Sequence, residues 1–273
     1  MPTPTQTLNT GATIPALGLG VWQATDGEEV TAVRHALTHG YDYVDTAAIY
    51  KNEEGVGEGI RQSGIARADL FLTTKMWLTD IRAHRGEQAL EESLAKLKLD
   101  YVDLYLLHWP VDGGLEAYRA MERLQDRGLT RAIGLSNYMP EHIEDLRAKT
   151  TVVPAVNQVE LHPYHQAQDV QDYCRDAGII VTAWSPLMQG KFLEEPLFAE
   201  LGKPYGKTAA QVLLRWFVQK GINVIPKSVT PHRITENHDV FDFELSDAEM
   251  ARIDGLDRGE EGRMGPDPRN IDF

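Results

Sequence analysis

Four side chains that can hold or move a proton stand at the ends of three apolar runs in this sequence. Asp45 ends the run YDYVD, Tyr50 comes five residues later, Lys75 ends LFLTTK and His108 follows VDLYLL. Each has a structural explanation when taken singly, such as an Asp–Lys ion pair or a hydrogen-bonded core histidine. Burial of all four is costly unless they are paired or used, so together they indicate a reaction site.

These residues suit the reduction of a carbonyl group. A tyrosine has a pKa of about 10, and a buried cation beside it lowers that pKa because it favours the phenolate. Lys75 is the candidate cation and Asp45 its ion-pair partner, while His108 can position a carbonyl oxygen for protonation by Tyr50. These four residues therefore predict a general acid that protonates a carbonyl oxygen during reduction.

The elements that must position these residues are eight short apolar runs, which alternate with segments of helical spacing. Eight βα units in 273 residues predict a (β/α)8 TIM barrel, a single domain over residues 1–273. A β-hairpin around the turn in TLNTGATI is expected to cap one end of the barrel. In such barrels the reactive side chains gather at the carboxyl ends of the strands. The predicted strands are PALGLGVW (15–22), YDYVDTA (41–47), LFLTTKM (70–76), VDLYLLHW (102–109), RAIGLSN (131–137), PAVNQVE (154–160), IIVTAWS (179–185) and INVIPKS (222–228).

Charge and cysteine content limit the partners and the compartment. The 41 acidic and 27 basic residues give a formal net charge of -14, which disfavours nonspecific binding to nucleic acid and to anionic membranes. Cys174 has no partner for an internal disulfide, and no apolar run is long enough to span a membrane. The N-terminal segment also lacks the features of a signal peptide. We therefore expect a cytoplasmic protein that acts on a small molecule without a metal.

Seven motifs follow one another along the chain, and several of them lie on the predicted strands: DTAAIYKNEEGVG, LTTKMW, DLYLLHWP, IGLSNY, VNQVELHPY, GKTAAQVLLRW and IPKSVTPHRITEN. In this order they resemble the aldo-keto reductase superfamily, and its bacterial 2,5-diketo-D-gluconate reductases most closely, from residue 9 to residue 245. The resemblance implies a catalytic tetrad of Asp45, Tyr50, Lys75 and His108, with Tyr50 as proton donor. It also implies a monomer that transfers hydride from NADPH to aldehydes, 2-oxoaldehydes, and keto sugars or keto acids.

The cofactor site is not of the Rossmann type, because LGLGVW supplies only G-x-G. Barrels tend to bind phosphate after strands seven and eight, where Lys227, Ser228 and Arg233 form a basic cluster in an acidic chain. The resemblance assigns this cluster to the adenosine 2′-phosphate and so implies NADPH rather than NADH. It further implies contacts to the nicotinamide amide from Ser136, Asn137 and Gln158, stacking by Trp184, a pyrophosphate loop of Ser185, Pro186, Leu187 and Gly190, an adenine site at Glu236 and Asn237, and further cofactor contacts at Val229 and Thr230.

Three tryptophans are the candidate walls of a substrate pocket. Trp22, Trp77 and Trp109 fall at or just beyond strand ends, and the resemblance places all three beside the substrate carbonyl. The connection 186–206 is longer than most loops in compact domains and is a candidate binding loop. Its residues 188–193 and the Gly-, Asp- and Pro-rich tail after residue 257 are expected to shape selectivity.

Three other readings of the same residues remain open. A metal-dependent hydrolase or isomerase could use Asp45, His108, Glu160 and His162, although the sequence lacks an H-x-H at a strand end. A Schiff-base aldolase could use Lys75 as its nucleophile. A regulator that binds NADPH without catalysis is the third, and the complete tetrad argues against it.

Overall fold

The structure is a computed structural model that describes residues 3–271 and residue 273, and it opens with an antiparallel hairpin. Strands β1 (Thr5–Thr7) and β2 (Thr13–Pro15) pair through a turn in which Gly11 has a φ of 84°. Leu8 and Ile14 are buried among side chains that fill the interior of a barrel. The hairpin therefore closes one end of the barrel, as the sequence predicts.

Eight parallel strands form one closed sheet in which each strand pairs with the next in the chain. Parallel bridges from Leu17 to Val224 and from Gly20 to Lys227 join the first strand to the last and close the barrel. The predicted (β/α)8 fold is confirmed, and the carboxyl ends of all strands meet at the rim opposite the hairpin. The strands are β3 (Leu19–Gly20), β4 (Tyr43–Asp45), β5 (Phe71–Met76), β6 (Val102–Leu107), β7 (Thr130–Ser136), β8 (Val156–Glu160), β9 (Ile180–Trp184) and β10 (Asn223–Val224).

Helices surround the sheet, and α4, α5, α7 and α9 pack directly on its strands. Helix α9 shows the pattern: Thr208 and Gln211 form a capping box at its start, and Leu213, Trp216 and Phe217 are buried. No helix within residues 3–271 is long and apolar enough to cross a membrane. The helices are α1 (Glu28–Thr38), α2 (Glu53–Ser63), α3 (Leu78–Arg82), α4 (Gly86–Leu97), α5 (Gly114–Asp126), α6 (Pro140–Arg147), α7 (Gln168–Asp176), α8 (Pro196–Gly202), α9 (Ala209–Gln219), α10 (Pro231–His238) and α11 (Asp247–Asp254).

The segments that the sequence marks as irregular carry short helices. The connection 186–206 contains a 3₁₀ segment, Met188–Glu194, and then α8. Gln189 and Gly190 interrupt the 3₁₀ segment with φ values of 52° and 94°, which turn the chain over the rim. The tail after residue 257 has one 3₁₀ turn and is otherwise irregular.

Candidate active site

The four tetrad residues meet at the carboxyl rim of three neighbouring strands. Asp45 is the last residue of β4, Lys75 lies near the end of β5, and His108 directly follows β6. Tyr50 ends a 3₁₀ turn, Ala48–Tyr50, in the loop after β4. Because β4, β5 and β6 are adjacent in the sheet, side chains distant in sequence come together here.

Lys75 forms a fully buried ion pair with Asp45. Lys75 Nζ donates to Asp45 Oδ1 at 2.5 Å and to the Thr46 carbonyl at 2.9 Å, while Gln158 Nε2 donates to Asp45 Oδ2 at 2.7 Å. Burial alone would lower the pKa of Lys75, but the Asp45 carboxylate and the Tyr50 hydroxyl outweigh burial and hold that pKa above its ordinary value. Lys75 is therefore a protonated ammonium at neutral pH, which does not suit the free amine that a Schiff base requires.

The hydroxyl of Tyr50 faces this ammonium. Lys75 Nζ lies 3.4 Å from Tyr50 Oη and 5.1 Å from the centroid of the tyrosine ring. Burial raises the pKa of Tyr50 above 10.0, and the Lys75 charge opposes that rise without reversing it. The expectation of a lowered pKa is thus wrong for the protein alone, because the sequence reveals the cation but not the desolvation. Tyr50 keeps its proton at neutral pH.

His108 is a neutral imidazole beside Tyr50. Burial, followed by the charge of Lys75, holds the pKa of His108 well below 6.5. Its ring packs edge-on against Tyr50 at 5.8 Å and against Trp77 at 5.2 Å between centroids. Nδ1 is buried with no partner among the described residues, and the ring lines a cleft, so Nε2 is the nitrogen that can meet a ligand.

A cleft of about 1000 Å³ opens at this rim. Its walls include most of the residues that the sequence nominates for catalysis, cofactor and substrate. Lys75 lies beneath Tyr50 rather than in the wall, and Val229 and Thr230 are not part of the lining. The nominated residues that line the cleft are Trp22, Asp45, Tyr50, Trp77, His108, Trp109, Ser136, Asn137, Gln158, Trp184, Ser185, Pro186, Leu187, Gly190, Lys227, Ser228, Arg233, Glu236 and Asn237.

Polar side chains at the ends of β7, β8 and β9 are tied into one hydrogen-bonded network. Asn137 Nδ2 donates to the His108 carbonyl at 3.0 Å, and Trp184 Nε1 donates to Asn137 Oδ1 at 2.7 Å. Ser136 Oγ donates to the Gln158 carbonyl at 2.9 Å. Asn137 has a φ of 64°, in the left-handed region where a residue other than glycine carries strain of about 1–3 kcal/mol, a feature common at ligand sites. The network holds Trp184 beside the tetrad.

The other part of the cleft has exposed positive charge. Lys227 follows β10 and Arg233 lies in the first turn of α10, and neither forms an ion pair with any residue of 3–271 or 273. Ser228 is buried between them and accepts a hydrogen bond from the Thr230 N–H at 3.2 Å. Two unpaired cations at a helix start in a chain of net charge -14 fit an anionic ligand such as a phosphate.

The residues of the metal-site alternative do not gather around one point. Asp45 is engaged by Lys75 and Gln158, whereas Glu160 Oε1 accepts from His162 Nε2 at 3.0 Å. Within residues 3–271 and 273, no group of three or more His, Cys, Asp or Glu side chains is arranged to hold a metal ion. This geometry does not support a hydrolase built on that set.

The cleft also contains residues that the sequence does not single out. Phe273 stacks on Trp77 with 6.1 Å between ring centroids and an interplanar angle of 14°, and it meets Trp109 edge-on at 5.6 Å. Leu193, 73% exposed, lines the cleft from the long connection. Proximity to strand ends could have indicated Val21, Gln23 and Ile49, whereas the composition of the tail indicates the segment but not which of its side chains reach the cleft. Gln189, Phe192, Leu193, Met264, Gly265, Pro266 and Phe273 lie in the two segments, 188–193 and the tail after 257, that the sequence predicts to shape selectivity. The lining residues that the sequence does not indicate are Gly20, Val21, Gln23, Ile49, Thr208, Ala209, Ala210, Ile225 and His232.

Comparison with known proteins decides the family to which this barrel belongs. The model of the Aldo/keto reductase family matches residues 16–258. The chain belongs to the aldo/keto reductase family. The resemblance inferred from the tetrad and strand-end motifs is thereby confirmed, and the protein is an oxidoreductase of this family.

Two curated bacterial relatives and one solved structure illustrate the likeness. The glyoxal reductase of Bacillus subtilis is 47% identical over 268 residues, which cover 97% of this chain and 96% of that protein. The methylglyoxal reductase DkgA of Escherichia coli K12 is 46% identical over 266 residues, 96% of this chain and 95% of that protein. A crystal structure of a Bombyx mori aldo-keto reductase in complex with NADP superposes with a TM-score of 0.90 at 34% identity, over 97% of this chain and 96% of that chain.

Proposed function

We propose that this aldo/keto reductase uses NADPH to reduce aldehydes and ketones to alcohols, with Tyr50 as the general acid and without a metal. The substrate range would include 2-oxoaldehydes, aromatic aldehydes, and keto sugars or keto acids, with aldehydes preferred over ketones. The observation that carries the proposal is a protonated tyrosine held 3.4 Å from a buried ammonium in the wall of a cleft. The proposal includes a single domain over residues 1–273 that acts as a monomer in the cytoplasm.

The residues around the cleft fit a phosphorylated dinucleotide. The unpaired cations Lys227 and Arg233, with Ser228, would hold the 2′-phosphate, and Glu236 with Asn237 the adenine. Near the tetrad, Ser136, Asn137 and Gln158 would bind the carboxamide, and Trp184 would lie against the nicotinamide ring. Ser185, Pro186, Leu187 and Gly190 would cover the pyrophosphate, and Val229 and Thr230, which lie outside the lining, would make further cofactor contacts. When bound, NADPH supplies the hydride that is added to the carbonyl carbon. An NADP complex of the Bombyx mori relative supports this choice.

The tetrad residues supply the proton and hold the carbonyl. The Tyr50 hydroxyl gives its proton to the carbonyl oxygen as that oxygen gains negative charge, and water later restores the proton. Lys75 stabilises the phenolate left on Tyr50, and Asp45 keeps Lys75 in place. His108, being neutral, can donate a hydrogen bond from Nε2 and orient the carbonyl oxygen toward Tyr50. One hydride and one proton thus convert a C=O group to CH–OH.

Arg233→Ala and Lys227→Ala are expected to weaken NADPH binding and to leave NADH binding nearly unchanged. A charged hydrogen bond to a phosphate is worth about 1.5–3 kcal/mol, so each variant should raise the Kd for NADPH by about 10- to 100-fold. NADH lacks the 2′-phosphate and therefore loses none of this energy. Fluorescence titration with the two cofactors measures the ratio directly.

The control for this experiment is Arg252→Ala in α11, an exposed arginine paired with Glu200 outside the cleft. That variant should bind both cofactors as the wild type does. Equal losses of NADPH and NADH affinity in Arg233→Ala and Lys227→Ala would contradict the 2′-phosphate assignment.

The wall of the substrate end favours uncharged aldehydes over carboxylated ones, so keto acids should be the poorest substrates in the proposed range. Aromatic rings surround the tetrad there, and the lining cations Lys227 and Arg233 are assigned to the cofactor. A substrate carboxylate would lose water without gaining a cation, so kcat/KM for 4-nitrobenzaldehyde should exceed that for 4-carboxybenzaldehyde by about tenfold or more. The two compounds have nearly the same shape, and steady-state kinetics gives the ratio.

Methyl 4-formylbenzoate is the control for size, because it removes the charge and enlarges the group. It should be reduced about as well as the nitro compound. Rejection of both the ester and the carboxylate would show that size, not charge, limits the pocket.

A further inference from the structure

Glu160, the last residue of β8, is a buried carboxylate that the proposed chemistry does not use. Its side chain is 2% exposed and its two oxygens accept three hydrogen bonds. Oε1 accepts from His162 Nε2 at 3.0 Å and from the Met264 N–H at 2.7 Å, and Oε2 accepts from the Gly265 N–H at 2.9 Å. We call this arrangement of Glu160, His162, Met264 and Gly265 the tail anchor.

The tail anchor is a buried, specific set of hydrogen bonds and not an incidental surface contact. Burial alone would raise the pKa of Glu160, but the three hydrogen bonds outweigh burial and keep the pKa below its ordinary value. An ionised carboxylate inside a protein is costly unless it is fully hydrogen-bonded, and here the donors saturate it. Two of these donors are backbone N–H groups 104 and 105 residues farther along the chain, so the carboxylate joins the barrel rim to the tail.

The anchored backbone also touches the side chain that we assign to the nicotinamide ring. A Cβ atom built on Gly265 would lie 2.6 Å from Trp184 Cη2 and 2.8 Å from Glu160 Oε2. A glycine is therefore required for the tail to approach this closely. The tail is thus fixed against both the end of β8 and the end of β9.

From the anchor the tail, residues 264–271 and 273, extends over the substrate end of the cleft. Met264, Gly265 and Pro266 line the cleft near its start, and Phe273 lines it at the far end, stacked on Trp77 and edge-on to Trp109. Arg82 Nη1 donates to the Phe273 carbonyl at 3.2 Å, an exposed contact. Arg269 of the tail makes further charged contacts at the surface, to Glu141 at 2.9 Å and to Glu260 at 4.0 Å. The tail anchor is the buried attachment.

We infer that Glu160 is a positioning residue that sets substrate selectivity, because its carboxylate fixes the tail whose side chains form one wall of the substrate pocket. The inference rests on the proposed function, but the attachment of the tail can be measured without it. Small aldehydes need little from this wall, whereas an aromatic aldehyde must pack between the tail and the tryptophans. Glu160 therefore influences which substrates bind productively, and it takes no part in the proton transfer.

The test uses Glu160→Gln, which keeps the size of the side chain. The amide NH2 group meets either the Met264 or the Gly265 N–H, so one donor faces another and the anchor is broken. We expect kcat/KM for 4-nitrobenzaldehyde to fall by about 10-fold or more relative to that for methylglyoxal, within the range that one pocket contact contributes. A variant that is only partly folded lowers both values equally, so the ratio separates positioning from a general structural role.

Two further variants make the result specific. Phe273→Ala should change the same ratio, and the double variant Glu160→Gln/Phe273→Ala should change it no more than the larger single effect, because both act through one wall. Glu141→Gln makes the same chemical change at the exposed tail contact and should leave the ratio as in the wild type. An unchanged ratio in Glu160→Gln, or fully additive effects in the double variant, would overturn the inference.

Amide hydrogen exchange provides a readout that needs neither cofactor nor substrate. In Glu160→Gln, the Met264 and Gly265 amides should exchange faster by about 10-fold or more, while amides of β5 and β6 keep their wild-type rates. Wild-type exchange rates at Met264 and Gly265 in the variant would show that the anchor does not hold the tail. If exchange responds but the wild type reduces no carbonyl, the anchor stands and the proposed function fails.

Discussion

Tyr50→Phe should lower kcat for aldehyde reduction by about 10²- to 10⁴-fold while NADPH binds as tightly as before. The substitution removes one oxygen atom, which lies 3.4 Å from Lys75 Nζ, and keeps the ring that packs on His108. Because the raised pKa keeps Tyr50 protonated at neutral pH, the wild-type rate should fall only when the pH approaches the pKa of this tyrosine, above 10.0. Steady-state kinetics with methylglyoxal and a cofactor titration measure the two quantities.

Tyr205→Phe is the matched control for the loss of a tyrosine hydroxyl. Its hydroxyl donates to Glu249 at 2.7 Å and lies outside the cleft, so kcat should stay at the wild-type value. If Tyr50→Phe retained more than about a tenth of kcat, another group would have to deliver the proton, and the assignment of Tyr50 as general acid would be wrong.

Lys75→Met is expected to destabilise the fold as well as to abolish reduction. Removing one partner of a buried ion pair costs about 3–5 kcal/mol, because Asp45 is left charged and buried with Gln158 as its remaining hydrogen-bond donor. The folded pKa of Lys75 is raised, so its contribution is fully present at neutral pH and is lost as the pH rises from about 10 through the folded pKa. Urea unfolding at neutral pH gives the free energy.

Lowering the pH should reduce the difference in unfolding free energy between Lys75→Met and the wild type. In Lys75→Met the unpaired Asp45 has a raised pKa, and as the pH falls through that value the carboxyl is protonated and the cost of its buried charge disappears. The double variant Asp45→Asn/Lys75→Met should therefore be more stable than Lys75→Met at neutral pH. Lys149→Met, which removes an exposed lysine paired with the exposed Asp145, should cost less than about 1 kcal/mol. Similar losses in Lys75→Met and Lys149→Met would contradict the account of the pair.

The barrel could be predicted from the sequence because buried parallel strands are continuous apolar runs with polar ends. The runs 41–47, 70–76 and 102–109 enclose the observed strands β4, β5 and β6. The outer runs are the exceptions, since 15–22 and 222–228 contain regular strands of only two residues, β3 and β10. Pro226 has no N–H to give to a ladder, and the pairing between the first and last strands is reduced to the bridges Leu17–Val224 and Gly20–Lys227.

The side chains of the site could be nominated from the sequence, but their electrostatics could not. Lys75 and Asp45 were expected to pair and they do, at 2.5 Å. The direction of the Tyr50 pKa depends on how much water the fold removes around it, and burial outweighs the cation. The sequence identifies the charged residues, but it does not show how far the fold removes water from around them.

The tail contacts could not be predicted because their donors carry no side-chain signal. Every residue except proline has a backbone N–H. The residue types of Met264 and Gly265 therefore do not identify them as hydrogen-bond partners of Glu160. The sequence suggests Glu160 and His162 as metal ligands because their types allow it, whereas the fold uses both to hold the tail. Phe273 likewise reaches Trp77 only through the path of a segment with little regular structure.

The stoichiometry of NADPH oxidation tests the central claim most directly. The wild-type protein is incubated with NADPH and either methylglyoxal or 4-nitrobenzaldehyde, and the NADPH consumed and the alcohol formed are both quantified. We predict one alcohol for each NADPH, with the same rate in the presence of a metal chelator. Binding of NADPH without its oxidation by any aldehyde or ketone would contradict the account and favour a regulator that binds the cofactor without catalysis.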